Sequence, residues 1–106
     1  MTSADVETTT GLQMAALILT AALEKGSGEK CCVSLREFGQ TRDFGPLYEY
    51  RIEMPGLAQM RGDLEQGRIK VDARVWTDKL QAVIRGLKRA TARAYTANEL
   101  LRNGGA

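Results

Sequence analysis

The chain has 106 residues, a length that suits one domain, with 43% apolar and 26% charged residues, ordinary values for a globular protein. Its net charge of +2 is too small to argue for any partner. There is no histidine, which removes the commonest general base and the commonest metal ligand.

Charge is distributed unevenly. Residues 1–67 carry six Lys/Arg against ten Asp/Glu, whereas residues 68–106 carry nine against three. The C-terminal part therefore suits an anionic partner, or the two parts neutralise each other within one molecule or between two. Residues 1–9 are polar and Thr-rich and read as a flexible tail. The opening MTSADVETTT holds two acids and no Lys or Arg, the opposite of a signal peptide's basic start. The longest apolar run, from Leu12 to Leu23, is shorter than the roughly 20 residues that cross a bilayer. The expectation is a soluble, cytoplasmic protein with no membrane partner.

Thr10 is placed to cap a first helix, with Gln13 completing a capping box. Lys25 suits its last turn and Gly26 the position just past its end. Ten of the fourteen residues 12–25 are Leu, Ile, Met or Ala. A helix this apolar must be covered on more than one side, by the sheet and by either the second helix or another subunit. That predicts a homo-oligomer, a dimer, with Leu12, Leu17, Leu19 and Leu23 at the interface. GSGEK (26–30) is a connector that lacks the glycine spacing of a phosphate loop.

Three strands are expected next. CCVSLREF (31–38) puts Cys31, Val33 and Leu35 on one face. LYEYRIEM (47–54) alternates Tyr48, Tyr50, Ile52 and Met54 against Glu49, Arg51 and Glu53. GRIKVDARVW (67–76) alternates Ile69, Val71, Ala73 and Val75 against Arg68, Lys70, Asp72 and Arg74. Period two with one charged face means an antiparallel sheet with one side wet. GQTRDFGP between the first two strands is a turn, Pro55-Gly56 ends the second, and residues 57–66 read as a loop or a helical turn. The adjacent Cys31 and Cys32 are too close for an unstrained bridge and too few for a tetrahedral zinc site, so no metal is expected.

A long second helix follows, with Thr77 or Asp78 as its cap and an end near Arg102, before a second flexible tail at 103–106. Leu80, Val83, Ile84, Leu87, Ala94, Tyr95 and Leu101 form its apolar stripe. Arg85, Arg89 and Arg93 recur at four-residue steps on the other side, flanked by Lys79 and Lys88, with no acid three or four residues away. Like charges at this spacing repel by roughly 0.2–0.5 kcal/mol per pair in an isolated helix. Three outcomes compete for them: water, acids of another segment or subunit, or phosphates. Trp76 falls in the outward phase of the third strand, as a stacking platform or packed beneath a loop.

The reading is therefore one α+β domain over residues 10–102, in the order α-β-β-β-α. It has a three-stranded antiparallel sheet with both helices on one face. Double-stranded-RNA-binding domains share this order, but their second helix opens on a basic cluster, whereas here the opening is TDKLQAV. Order alone is an analogy of fold and not of site. Serines lack a histidine to activate them, and Glu49 and Glu53 stand on a flat face, so no catalytic residue, enzyme activity or cofactor is expected. The expected function is that of a small non-catalytic, self-associating adaptor or regulator that acts on another protein. The alternative is a DNA- or RNA-binding protein using Arg85, Lys88, Arg89 and Arg93, with Trp76. A third reading is a small-molecule pocket floored by Tyr48, Tyr50, Met54 and Tyr95.

Overall fold

Alternation is cleanest over residues 47–54, and here the chain obeys it: Tyr50, Ile52 and Met54 are buried while Arg51 and Glu53 are exposed. The computed structural model describes residues 5–43, 45–69 and 72–105. Their elements run β1 (Asp5–Thr9), α1 (Leu12–Glu24), β2 (Cys32–Thr41), β3 (Gly45–Met54), α2 (Leu57–Glu65), α3 (Ala73–Arg89), β4 (Ala94–Thr96) and α4 (Ala97–Gly105). The class is α+β as expected, but the sheet has four strands in the order β1-β3-β2-β4, every neighbouring pair antiparallel.

Two of these strands lie where none was foreseen. Asp5–Thr9, read as tail, pairs with Tyr50–Met54 along the edge of β3. Its composition is polar because an edge strand over a half-wet sheet buries little. Ala94–Thr96, read as helix, pairs with Cys32–Ser34. Conversely, the stretch expected as a third strand contributes no strand among its described residues. Lys70 and Val71 lie outside the described residues, and Ala73–Trp76 open α3. The cap is Asp72, whose carboxylate accepts from the amides of Arg74 (2.9 Å) and Val75 (3.2 Å), not Thr77 or Asp78. Four alternating residues fit period two, but Trp76, Leu80, Val83 and Leu87 continue at helical steps and bury the same side. Asp72→Ala is expected to cost about 1 kcal/mol, the usual worth of an N-cap. Urea unfolding against Asp78→Ala, which should be near neutral, checks it.

The long helix is broken at Ala90, whose extended backbone (φ −73°, ψ 149°) turns the chain toward the sheet. The turn is held by Tyr95, whose hydroxyl accepts from the Thr91 amide at 2.9 Å, and by the Arg93 guanidinium 4.0 Å above the same ring. Thr96 then starts α4. Its hydroxyl accepts from the Glu99 amide (3.2 Å), and Glu99 reaches back to the Thr96 amide (3.5 Å). TANE (96–99) is thus a capping box that went unread inside an assumed helix. Residues 103–105, expected as tail, are the last turn of α4.

Residues 57–65 form a full helix, α2, with Leu57 and Met60 buried. Arg61 bonds Glu7 of β1 at 2.8 Å, and Asp63 bonds Lys25 at 3.2 Å beyond the end of α1. The Lys25 hydrogen bond, helped by Gln59 and Arg68, holds the Asp63 carboxyl below its ordinary value of 3.8. α1 starts from Gly11, not from a Thr10 box; its side-chain contact is Thr9 Oγ1 accepting from the Gly11 amide.

One face of β2 and β3 is buried, with Val33, Leu35, Tyr50, Ile52 and Met54, and the opposite face is exposed among the described residues. Cys32, Ser34 and Arg36 of β2 and Arg51 and Glu53 of β3 lie there. The two cysteines are free and divide between core and solvent. Burial, then the neighbouring Cys32, pushes the Cys31 thiol up to about 12. Iodoacetamide at neutral pH is therefore expected to modify Cys32 alone in the folded protein. Mass spectrometry finding Cys31 labelled at a comparable rate would contradict this.

Candidate functional site

The arginines are built into the fold. α3 and α4 pack antiparallel at very short range, Gly86 against the Leu100 carbonyl and Gly104 against the Ala82 carbonyl. This brings the last carbonyls of α4 beside α3. Arg85 Nε donates to the Gly104 carbonyl and Arg89 donates to the Asn103 carbonyl, each at 2.7 Å. A helix C-terminus carries unpaired carbonyls and partial negative charge, so two guanidinium groups there answer its need for donors. None of the three outcomes foreseen for the stripe covers this one. Arg93 is not on the helix at all but on the loop before β4, stacked on Tyr95, with Glu99 at 3.9 Å.

The other expected site residues scatter. Trp76 is half-buried with Leu64, Gly67 and Ile69, beneath the α2–α3 connection. Lys88 points to a different region, described below. Leu19 is fully buried within its own chain, and Leu12 and Leu23 pack against the same core. Leu17 is half-buried, in a shallow recess with Gln13, Leu80 and Ile84. The apolar excess of α1 is thus taken up by the sheet and by α3 and α4, with Met14 the exposed large apolar residue on this helix.

What the fold leaves unsatisfied lies elsewhere, in the β2–β3 hairpin. β4 pairs with β2 only at Cys32–Ser34, and β1 pairs with β3 only at Tyr50–Met54. Past those points, residues 36–41 and 45–49 are a two-stranded arm with no strand on either side among the described residues. Gly45, at φ +73°, supplies the left-handed residue that closes its turn. The ladder slips between Glu37 and Gly39, so Phe38 has no partner in β3 and is 52% exposed.

Between this arm, the start of α1 and the end of α3 runs a cleft of about 460 Å³. Leu12, Phe38, Pro46, Leu47, Tyr48 and Tyr50 form its walls, and Lys88 is the charged residue among its described lining. Leu87 lies in the adjoining part of the same cleft. This is in part the pocket expected over Tyr48 and Tyr50, whereas Met54 and Tyr95 are core residues.

No protein-family model matches this chain, and neither a curated protein nor a solved structure matches it.

What the site can do follows from its chemistry. Among the described residues, no group of three or more His, Cys, Asp or Glu could hold a metal ion, and no helix is long and apolar enough to cross a membrane. The arm and cleft present apolar side chains, strand edges with no neighbouring strand among the described residues, and charges of both signs. Exposed sheet edges and apolar patches are features that association surfaces commonly share. Sequence reasoning missed Phe38, Pro46 and Leu47. The signal was present: Phe38 stands out of phase with Cys31, Val33 and Leu35, which marks a bulge rather than one more inward residue.

Proposed function

We propose that this is a non-catalytic binding protein that self-associates and acts through protein–protein contacts as an adaptor or regulator of a larger partner. One observation carries the reading: the arm formed by residues 36–41 and 45–49 has no neighbouring strand among the described residues, and a half-exposed Phe38 stands beside an apolar cleft. Sheet edges and exposed apolar patches that remain on a folded domain serve as association surfaces. The first helix carries it less, because Leu19 is fully buried and Leu12 and Leu23 pack against the chain's own core. The nucleic-acid alternative keeps Arg85, Lys88 and Arg89 exposed, with Arg85 and Arg89 each spending one donor on a carbonyl of α4. A reducing compartment such as the cytoplasm fits the two free thiols.

A photo-crosslinking residue at Leu47 tests the reading in the native host, with the same residue at exposed Gln81 as control. The expected result is covalent homodimer, and adducts with a second protein, from position 47 alone. Equal or absent crosslinking from the two positions would overturn it.

A further inference from the structure

We propose that the cleft between the β2–β3 arm and the helices binds a small carboxylic acid with an apolar body, its carboxylate held by Lys88 and the Tyr50 hydroxyl. This goes beyond the association reading and does not depend on it, since it asks nothing of a second chain.

Tyr48 and Tyr50 stand two residues apart on one side of β3, and both line the cleft and its adjoining part. Tyr50 is 4% exposed, yet among the described residues its hydroxyl has no hydrogen-bond partner. A hydroxyl buried in this way costs the fold free energy, and an acceptor on a ligand relieves that cost. Burial, then the neighbouring Tyr48, pushes the Tyr50 hydroxyl above its ordinary value of 10.0, so at neutral pH it is a protonated donor.

Lys88 supplies the charge. It is exposed, closes no ion pair among the described residues, and stands in both parts of the cleft. α3 ends one residue later, at Arg89, and the roughly half-unit negative charge of a helix terminus is smaller than the full charge of the ammonium. The cleft therefore favours an anion. A carboxylate accepts from an ammonium and a phenolic hydroxyl together, and both bonds are charge-assisted. A cation would be repelled by Lys88, and a neutral apolar molecule would leave both donors unmatched.

The remaining walls set the body of the ligand. Leu12, Phe38, Pro46 and Leu47 are apolar, and covering the 52% exposed Phe38 removes apolar surface from water. The volume of about 460 Å³ lies within the roughly 300–1,000 Å³ typical of small-molecule sites. An aliphatic or aromatic monocarboxylate matches that space and the charge within it.

Isothermal titration calorimetry of the full chain with decanoate, decanol and decylamine tests this, because the three share one apolar chain and differ in their head group. The parent should bind decanoate with a Kd on the order of 10–100 μM, and the other two at least about tenfold more weakly. Lys88→Met removes the charge and keeps an apolar stem. It should weaken decanoate about tenfold and leave decanol unchanged. Tyr50→Phe removes the hydroxyl alone and should weaken decanoate about fivefold. Lys88→Glu should invert the preference, taking decylamine over decanoate. Lys88 is exposed, so its two variants carry the test even where circular dichroism finds Tyr50→Phe unfolded. No binding of decanoate at about 5 mM overturns the proposal. So does decanol bound as tightly as decanoate, or decanoate binding indifferent to both Lys88 variants. Tighter binding of an apolar peptide with a free C-terminal carboxylate would make the occupant a polypeptide and overturn it as well. None of these outcomes decides the association reading, which rests on the crosslinking at Leu47.

Discussion

Gly86→Ala is expected to destabilise the protein by about 3 kcal/mol, the upper part of the range for overpacking a tight contact. At an exposed helix position the same change would stabilise by about 1 kcal/mol, because alanine loses less backbone freedom than glycine. The sign reverses here because a Cβ on Gly86 would overlap the Leu100 carbonyl, a backbone group that cannot rotate away. α4 would have to move off α3 as a unit. It would take with it the Arg85 and Arg89 bonds to the Gly104 and Asn103 carbonyls and the fully buried Leu100. Gly62 in α2 is the internal control, since a Cβ there meets nothing within 4 Å. Gly62→Ala should stabilise by roughly 0.5–1 kcal/mol. Urea unfolding of the two variants should give opposite shifts of the midpoint. A stabilised Gly86→Ala would mean that α3 and α4 do not meet as described.

Leu19→Ala is expected to cost about 2–5 kcal/mol, the usual loss when a buried leucine leaves a cavity. Leu19 is 0% exposed within its own chain, in the middle of the core that joins the sheet to α1 and α3. Met14 on the same helix is 39% exposed, and Met14→Ala should fall within about 0.5 kcal/mol of the parent. The pair also separates two ideas about α1. If its leucines served association, Leu19→Ala would weaken a dimer while sparing the monomer fold. The expected result is the reverse: lower unfolding temperature, and unchanged mass in sedimentation at a temperature where the variant remains folded.

The elements that were legible share one property: their pattern answers to a single neighbour. Tyr50, Ile52 and Met54 alternate because one face of β3 meets the core and the other meets water. α1 is apolar along its length because it is enclosed, and Gly26, with φ +74°, does mark its end. The third expected strand failed because Ala73 to Trp76 fit two periods at once. The choice fell to Asp72, whose carboxylate caps a helix, and to the buried steps that follow from Trp76. The long helix failed for a related reason. Ala94, Tyr95 and Leu101 continue its stripe in phase, yet the chain leaves the helix at Ala90 so that Tyr95 can pair opposite Val33.

The candidate site was the least legible part. A lone charge pattern does not reveal its partner, and the arginine stripe looked unsatisfied only because its acceptors are backbone carbonyls. Those carbonyls belong to residues 103 and 104, which read as tail. Phe38 could have been noticed by its phase. That it is exposed depends on where β4 stops, which no local pattern shows.

By itself the sequence determined the α+β class, the burial of α1, the two central strands and the wet face of the sheet. Each follows from periodicity and composition within about a dozen residues. Tertiary structure alone decided the two outer strands, the break at Ala90 and the destination of Arg85 and Arg89. It also left the β2–β3 arm without a neighbouring strand among the described residues, because these depend on distant segments competing for the same hydrogen-bonding edges and carbonyls. That competition is settled by global packing and leaves no trace in a local window.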